Sequence, residues 1–175
     1  MRIACDVDDV LGAFYPTMCK KFNKPELQVN IWDGNLGGDC AWIAHKFPDL
    51  YDELPFWSEI GVLSNPSSIN FEIDHYITSI PPHLHDIREK WLLDNGFPKR
   101  PLICTLGNKV DTMKALGIDV LIDDKPSTIK VVREAGMVGI RFVPSYMNQY
   151  NKFDKNDPYT IRHLSEVNNV LKYHM

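Results

Sequence analysis

The chain has 175 residues, 44% of them hydrophobic and 24% charged, proportions that suit one globular domain with a buried core and exclude a fibrous or disordered protein. A formal charge of −4 with a pI near 5.8 argues against sequence-independent nucleic-acid binding, because tracking phosphates needs a basic surface. Cys5, Cys19, Cys40 and Cys104 lack CxxC spacing and read as reduced thiols, and no apolar run reaches signal-peptide or membrane-span length, so a cytoplasmic protein without a membrane partner is expected.

The first element is a short apolar strand, Arg2-Ile3-Ala4-Cys5, that runs into Asp6-Val7-Asp8-Asp9. Carboxylates at the carboxyl end of a buried strand are costly to desolvate, so such a cluster points to a metal ion or a proton-transfer task. Apolar residues at Leu11, Phe14, Tyr15, Met18, Cys19 and Phe22 then follow helical spacing, interrupted by Pro16 in the first turns and ended by Pro25. From there to Trp57 the chain is rich in Trp, Asp and Gly, with short helices expected around Cys40–Lys46 and Pro48–Leu54. The absence of a strand pattern predicts a small helical cap over residues 14–61, inserted into a core of residues 1–13 and 62–175. Caps of this kind close over substrate and exclude water.

The core is expected to resume near Val62. Only Ser64 to Asn70 precede a strand at Phe71–Ser79, too few residues for a connecting helix. The crossover is therefore either reduced to a turn or takes a shorter route. Beyond it the alternation is regular: helix His85–Asn95, strand Pro101–Thr105, helix Asn108–Leu116, strand Asp119–Ile122, helix Ser127–Ala135, strand Val138–Val143 and a C-terminal helix near Thr160–Tyr173. Gly96, Gly117 and Gly136 fall where helix C-caps belong. This order predicts an α/β fold, a Rossmann-like parallel sheet with helices on both faces.

Each central strand ends in a polar group: Asp6 and Asp8, then Thr78-Ser79, then Thr105 with Lys109 just beyond, then Asp123-Asp124-Lys125. Ligands bind open parallel sheets in the crevice outside the carboxyl ends of the strands, so one site assembled from four segments is expected. Taken singly, each segment has a plainer explanation: Asp123 to Pro126 as a strand-to-helix turn with Ser127 as N-cap, Lys109 as an exposed first-turn lysine, Thr78-Ser79 as a turn. His83 and His85 lack a third metal ligand, and Asp33-Gly34-Asn35 with Asp39 lacks the bidentate acid of a calcium loop. Asp9 receives no role.

Asp6-x-Asp8-x-Val10, Thr78, Lys109 and Asp123-Asp124, in this order, resemble the four-part signature of the haloacid dehalogenase superfamily, most of whose members are magnesium-dependent phosphohydrolases. Within it, Tyr76-Ile77-Thr78-Ser79, Leu121 to Pro126, and Phe56-Trp57 followed by an acidic residue resemble the 5'(3')-deoxyribonucleotidases. The likeness spans the chain outside the segment from Phe14 to Asn70. Two features depart from it: the abbreviated first crossover, and Asp9, where many relatives carry Gly.

The resemblance implies Asp6 as nucleophile and Asp8 as general acid and base. It implies Mg²⁺ held by Asp6, the backbone carbonyl of Asp8 and the Asp123/Asp124 pair, with Asp124 favoured as the direct ligand. Thr78, Ser79, Lys109 and Lys125 would receive the phosphoryl group, while Phe14 and Trp57, beside Trp32 and Phe56, either stack on a nucleobase or form cap core. The expected partner is a small phosphorylated substrate, a nucleotide first, with homodimerisation left open. The alternatives are a phosphatase for another phosphometabolite or for polynucleotide ends, and a non-catalytic domain that binds a phosphorylated ligand.

Overall fold

The computed structural model describes residues 1–32, 38–148 and 156–173. Six parallel strands form one sheet: β1 (Ile3–Cys5), β2 (His75–Thr78), β3 (Leu102–Cys104), β4 (Val120–Asp123), β5 (Val138–Phe142) and β6 (Thr160–Ile161), in the spatial order β3-β2-β1-β4-β5-β6. The chain builds outward from β1 in both directions, pairing Cys5 with Tyr76 on one side and with Ile122 on the other. The strand order therefore reverses beside β1, and the crevice at its carboxyl end is the natural ligand site of such a sheet.

Side chains alternate between the two faces, as a period of two requires. Ala4, Ile77 and Leu121 pack with Val110, Met113 and Val132 of helices α5 (Lys109–Leu116) and α6 (Pro126–Glu134). Ile3, Cys5, Tyr76, Val120 and Ile122 face the other core. That core also takes residues of α1 (Phe14–Lys21), α4 (His85–Asp94) and α7 (Val167–Leu171). Burial on both faces explains why these strands read as continuous apolar runs. Among the described residues no helix is long and apolar enough to cross a membrane, and all four cysteines are free. Burial pushes the Cys104 thiol up to about 12, in keeping with an inert thiol.

Between β1 and β2 lie α1, α2 (Trp42–Leu50) and α3 (Leu54–Glu59). Pro16 does not interrupt α1. It sits in the first turn, where a missing N–H costs no hydrogen bond. The two helices expected over 40–54 are instead one helix that carries Pro48 inside it, followed by α3. Val62 begins no sheet strand; it forms an isolated antiparallel bridge with Gly12. Ala13 N–H donates to the Gly61 carbonyl at 2.7 Å and Leu63 N–H to the Leu11 carbonyl at 2.8 Å, so the chain leaves and re-enters the sheet region through two adjacent passages. The abbreviated crossover is a single 3-10 turn, Pro66–Ser68.

Two further expectations are corrected. The C-terminal stretch is not one helix: Thr160–Ile161 pair with β5 as the edge strand β6, and a 3-10 turn at Leu164–Glu166 precedes the short α7. Backbone pairing decides this, with Arg141 N–H bonded to the Tyr159 carbonyl and Val143 N–H to that of Ile161, and two residues are too few to print a strand period on the sequence. Ser127 is not an N-cap; Lys125 occupies that position with Pro126 at the first helical residue. Gly117 caps α5 at φ 63°, a left-handed conformation that glycine adopts without strain.

Candidate active site

Asp6 follows β1 directly and Asp123 ends β4, so adjacent strands bring their carboxylates together. Lys109, the first residue of α5, enters between them: its Nζ lies 3.0 Å from Asp6 Oδ1 and 2.7 Å from Asp123 Oδ2. Asn108 fixes the start of that helix by accepting the Val110 N–H at 2.9 Å. Only 5% of Lys109 is exposed. Burial works against its charge, but Asp123 and Asp6 more than offset this and raise its pKa. Lys109 lines the site cavity and is buried, so it is not an exposed first-turn lysine.

Asp6, Asp123 and Asp124 are all buried, and each offers an oxygen within 4.8 Å of the others. Asp123 accepts a donor on each oxygen, Lys109 on one and the Lys125 N–H at 2.8 Å on the other. Asp124 accepts the Trp32 indole N–H. Burial, then Asp123 and Asp9, push the Asp124 carboxyl well above the usual carboxylate range, against the lowering effects of Arg141 and Trp32. Burial likewise raises Asp6, with Lys109 opposing.

Asp8 is held by two donors. Thr78, at the end of β2, donates its hydroxyl to Asp8 Oδ2 at 3.0 Å, and Arg88 Nη2 donates to Asp8 Oδ1 at 2.7 Å. Arg88 is fully buried and is absent from the sequence reading. A signal existed: on α4 it shares the apolar stripe of Leu84, Trp91 and Leu92, and a charge on such a stripe implies a buried partner.

Asp9 also acquires a role. Its backbone is left-handed at φ 58°, and its carboxylate accepts the Tyr15 N–H at 2.9 Å. Ala13, at the N-cap of α1, has no capping side chain; Asp9 satisfies that end of the helix from five residues upstream. Burial raises its pKa strongly.

These groups open into a cavity of about 390 Å³. Its sheet side is polar and includes Asp6, Asp8, Thr78, Ser79, Lys109, Asp123, Asp124 and Lys125. Opposite stand Phe14 and, on one face of α2, Ile43, Ala44, Phe47 and Tyr51. Trp32 lines the cavity as a hydrogen-bond donor. Trp57, weighed as a substrate-stacking residue or as cap core, does not line it. Its indole is wholly buried, donates to the Leu50 carbonyl at 2.7 Å and packs on Phe14, Phe47 and Phe56 at centroid distances of 5.9, 6.2 and 5.3 Å. The aromatic pair Phe47 and Tyr51 replaces it, an i, i+4 face that sequence reading passed over. Asp33, Gly34 and Asn35, weighed as a calcium loop, lie outside the described residues.

Charge bookkeeping sets what the site lacks. Asp6, Asp8, Asp9, Asp123 and Asp124, ionised, face Lys109, Arg88, Arg141 and, on the cavity wall, Lys125, so that carboxylates outnumber cations among these residues. Buried excess negative charge calls for a bound cation or for proton uptake. The all-oxygen donor set suits a hard ion. No protein-family model matches the chain, and no curated protein matches it.

Proposed function

We propose that the protein is a Mg²⁺-dependent phosphomonoester hydrolase of the haloacid dehalogenase type, acting on a nucleoside monophosphate through an aspartyl-phosphate intermediate. The observation that carries this reading is the Asp6–Lys109–Asp123 cluster with Asp124 at the floor of a half-polar, half-apolar cavity.

Asp6, Asp124 and the Asp8 carbonyl would hold the ion, with Asp123 engaged by Lys109 and the Lys125 N–H. When bound, Mg²⁺ supplies charge neutralisation for the phosphoryl group and for the carboxylates around it. Asp6 attacks phosphorus; a new O–P bond forms at its carboxylate as the ester P–O bond breaks, and Asp8 delivers its proton to the leaving alcohol oxygen. Asp8, now ionised, takes a proton from water as that water attacks phosphorus, and the Asp6–phosphorus bond breaks to release inorganic phosphate. Lys109 opposes the burial that raises Asp6 and would meet phosphoryl oxygens. Ser79 and Lys125 extend this polar wall.

The wall of Phe14, Ile43, Phe47 and Tyr51 favours a flat ring that can stack on the leaving-alcohol side, and a nucleobase supplies one. The test is a panel of phosphate esters with Mg²⁺ and after chelation. Phosphate release that needs Mg²⁺ and favours nucleoside monophosphates over glycerol and sugar phosphates is the expected result. No release from any ester would overturn the reading, and equal rates across the panel would leave a phosphatase without nucleotide preference.

A further inference from the structure

The guanidinium of Arg88 lies entirely inside the protein, where an arginine is costly unless its contacts repay the desolvation. Nη2 donates to Asp8 Oδ1 at 2.7 Å and Nη1 to the Trp57 carbonyl of α3 at 3.0 Å. The Trp91 ring stacks 4.5 Å from the guanidinium carbon, and Trp91 in turn donates its indole N–H to the Ile60 carbonyl at 2.6 Å. A Cβ added at Gly12 would stand 3.1 Å from Ile60, 3.2 Å from Trp91 and 3.4 Å from Arg88 Nη2. One side chain thus joins the carboxylate of Asp8 to the last turn of α3 and packs beside Gly12, while Trp91 beneath it ties in Ile60.

We infer that Arg88 is a positioning residue for the acid–base step: it holds the Asp8 carboxylate in register with the leaving oxygen and fixes that placement to α3. The inference rests on the proposed hydrolase reading. With Thr78 on the second oxygen, the carboxylate is fastened at both ends and cannot rotate about its terminal bond without losing a donor. The planar guanidinium bonds Asp8 and the Trp57 carbonyl through different nitrogens at once, a geometry that a lysine ammonium does not reproduce. Arg88 does not line the cavity, so its effect on catalysis passes through Asp8.

The experiment compares Arg88→Met, Arg88→Lys and wild type on an alkyl phosphate, whose leaving group needs a proton, and on nitrophenyl phosphate, whose leaving group does not. Loss of orientation in a general acid costs ~10²-fold on the alkyl ester. The expected result for Arg88→Met is a fall of about that size in kcat for the alkyl ester, with nitrophenyl phosphate losing less than about threefold once rates are scaled to folded protein. Arg88→Lys keeps the buried charge and supplies the comparison if Arg88→Met does not fold; it should show the same split at smaller amplitude. Equal losses on both esters in whichever variant folds would overturn the inference and make Arg88 a structural residue only. A wild type that turns over neither ester would overturn the hydrolase reading instead, and the inference with it.

Discussion

Lys109→Met removes one charge from the middle of the site while keeping most of the length of the side chain. The side chain is 4% exposed and its ammonium lies within 3.0 Å of both Asp6 and Asp123, so two buried carboxylates lose their cation together. Breaking a buried ion pair from one side costs about 3–5 kcal/mol, and in a chain of this size each kcal/mol is worth roughly 2–4 °C. Melting at pH 8 in EDTA should therefore fall by roughly 6–20 °C. Lys109 opposes the burial that raises Asp6; without it the folded protein holds more protons than the unfolded chain, so stability declines as pH rises. The loss should consequently be smaller at pH 5 than at pH 8. Mg²⁺ should recover more of the melting temperature in Lys109→Met than it adds to wild type, because a dication supplies the missing charge. Circular dichroism melts at both pH values, with Mg²⁺ and with EDTA, measure all three quantities. A variant within about 2 °C of wild type at pH 8, or one equally damaged at both pH values, would refute the electrostatic account of the cluster.

Trp57→Ala should cost about 3–5 kcal/mol of stability and slow every substrate alike per folded molecule; a loss confined to nucleotides in steady-state kinetics would contradict this. Phe47→Ala should raise KM for nucleoside monophosphates by about 5- to 150-fold, the equivalent of ~1–3 kcal/mol of stacking, and leave glycerol phosphate nearly unaffected. Asp9→Asn keeps an acceptor for the Tyr15 N–H and tolerates φ 58°, while it removes a carboxylate whose folded pKa burial has raised. Folding then takes up a proton at this site in wild type, so Asp9 weakens the fold as pH rises from the ordinary carboxylate range through its folded value. The variant should melt higher than wild type at pH 8 in EDTA, with the gain vanishing toward pH 4; equal or lower melting at pH 8 would count against it.

The sheet and the polar edge that forms the candidate site were legible because both depend on local pattern. Doubly buried strands show as apolar runs, and Asp6, Thr78, Lys109 and Asp123 each stand at an element boundary that glycines, prolines and caps mark in the sequence. What was not legible depends on long-range pairing. Arg88 reaches Asp8 across 80 residues and Trp32 reaches Asp124 across 92, and no spacing rule joins such residues. The two-residue β6 exists only because the edge of β5 offers it hydrogen bonds. Trp57 and Phe47 are both aromatics between the first two strands, and the choice of which one faces the cavity follows from the packing of α2 on α3, which composition does not encode. Asp9 was opaque for the opposite reason: its contact is local, but the left-handed turn that makes it possible is unusual for aspartate.

The most direct measurement of the central claim is phosphate release from a nucleoside monophosphate by wild type and Asp6→Asn, each with Mg²⁺ and after chelation, with acid-quenched samples analysed by peptide mass spectrometry. The carboxamide preserves the shape of residue 6 but is not a nucleophile. Turnover by wild type with Mg²⁺ alone, a phosphoryl adduct on the peptide that carries Asp6, and loss of both in Asp6→Asn are the expected results. Turnover by Asp6→Asn at more than a few per cent of the wild-type rate, or full wild-type turnover after chelation, would contradict the claim.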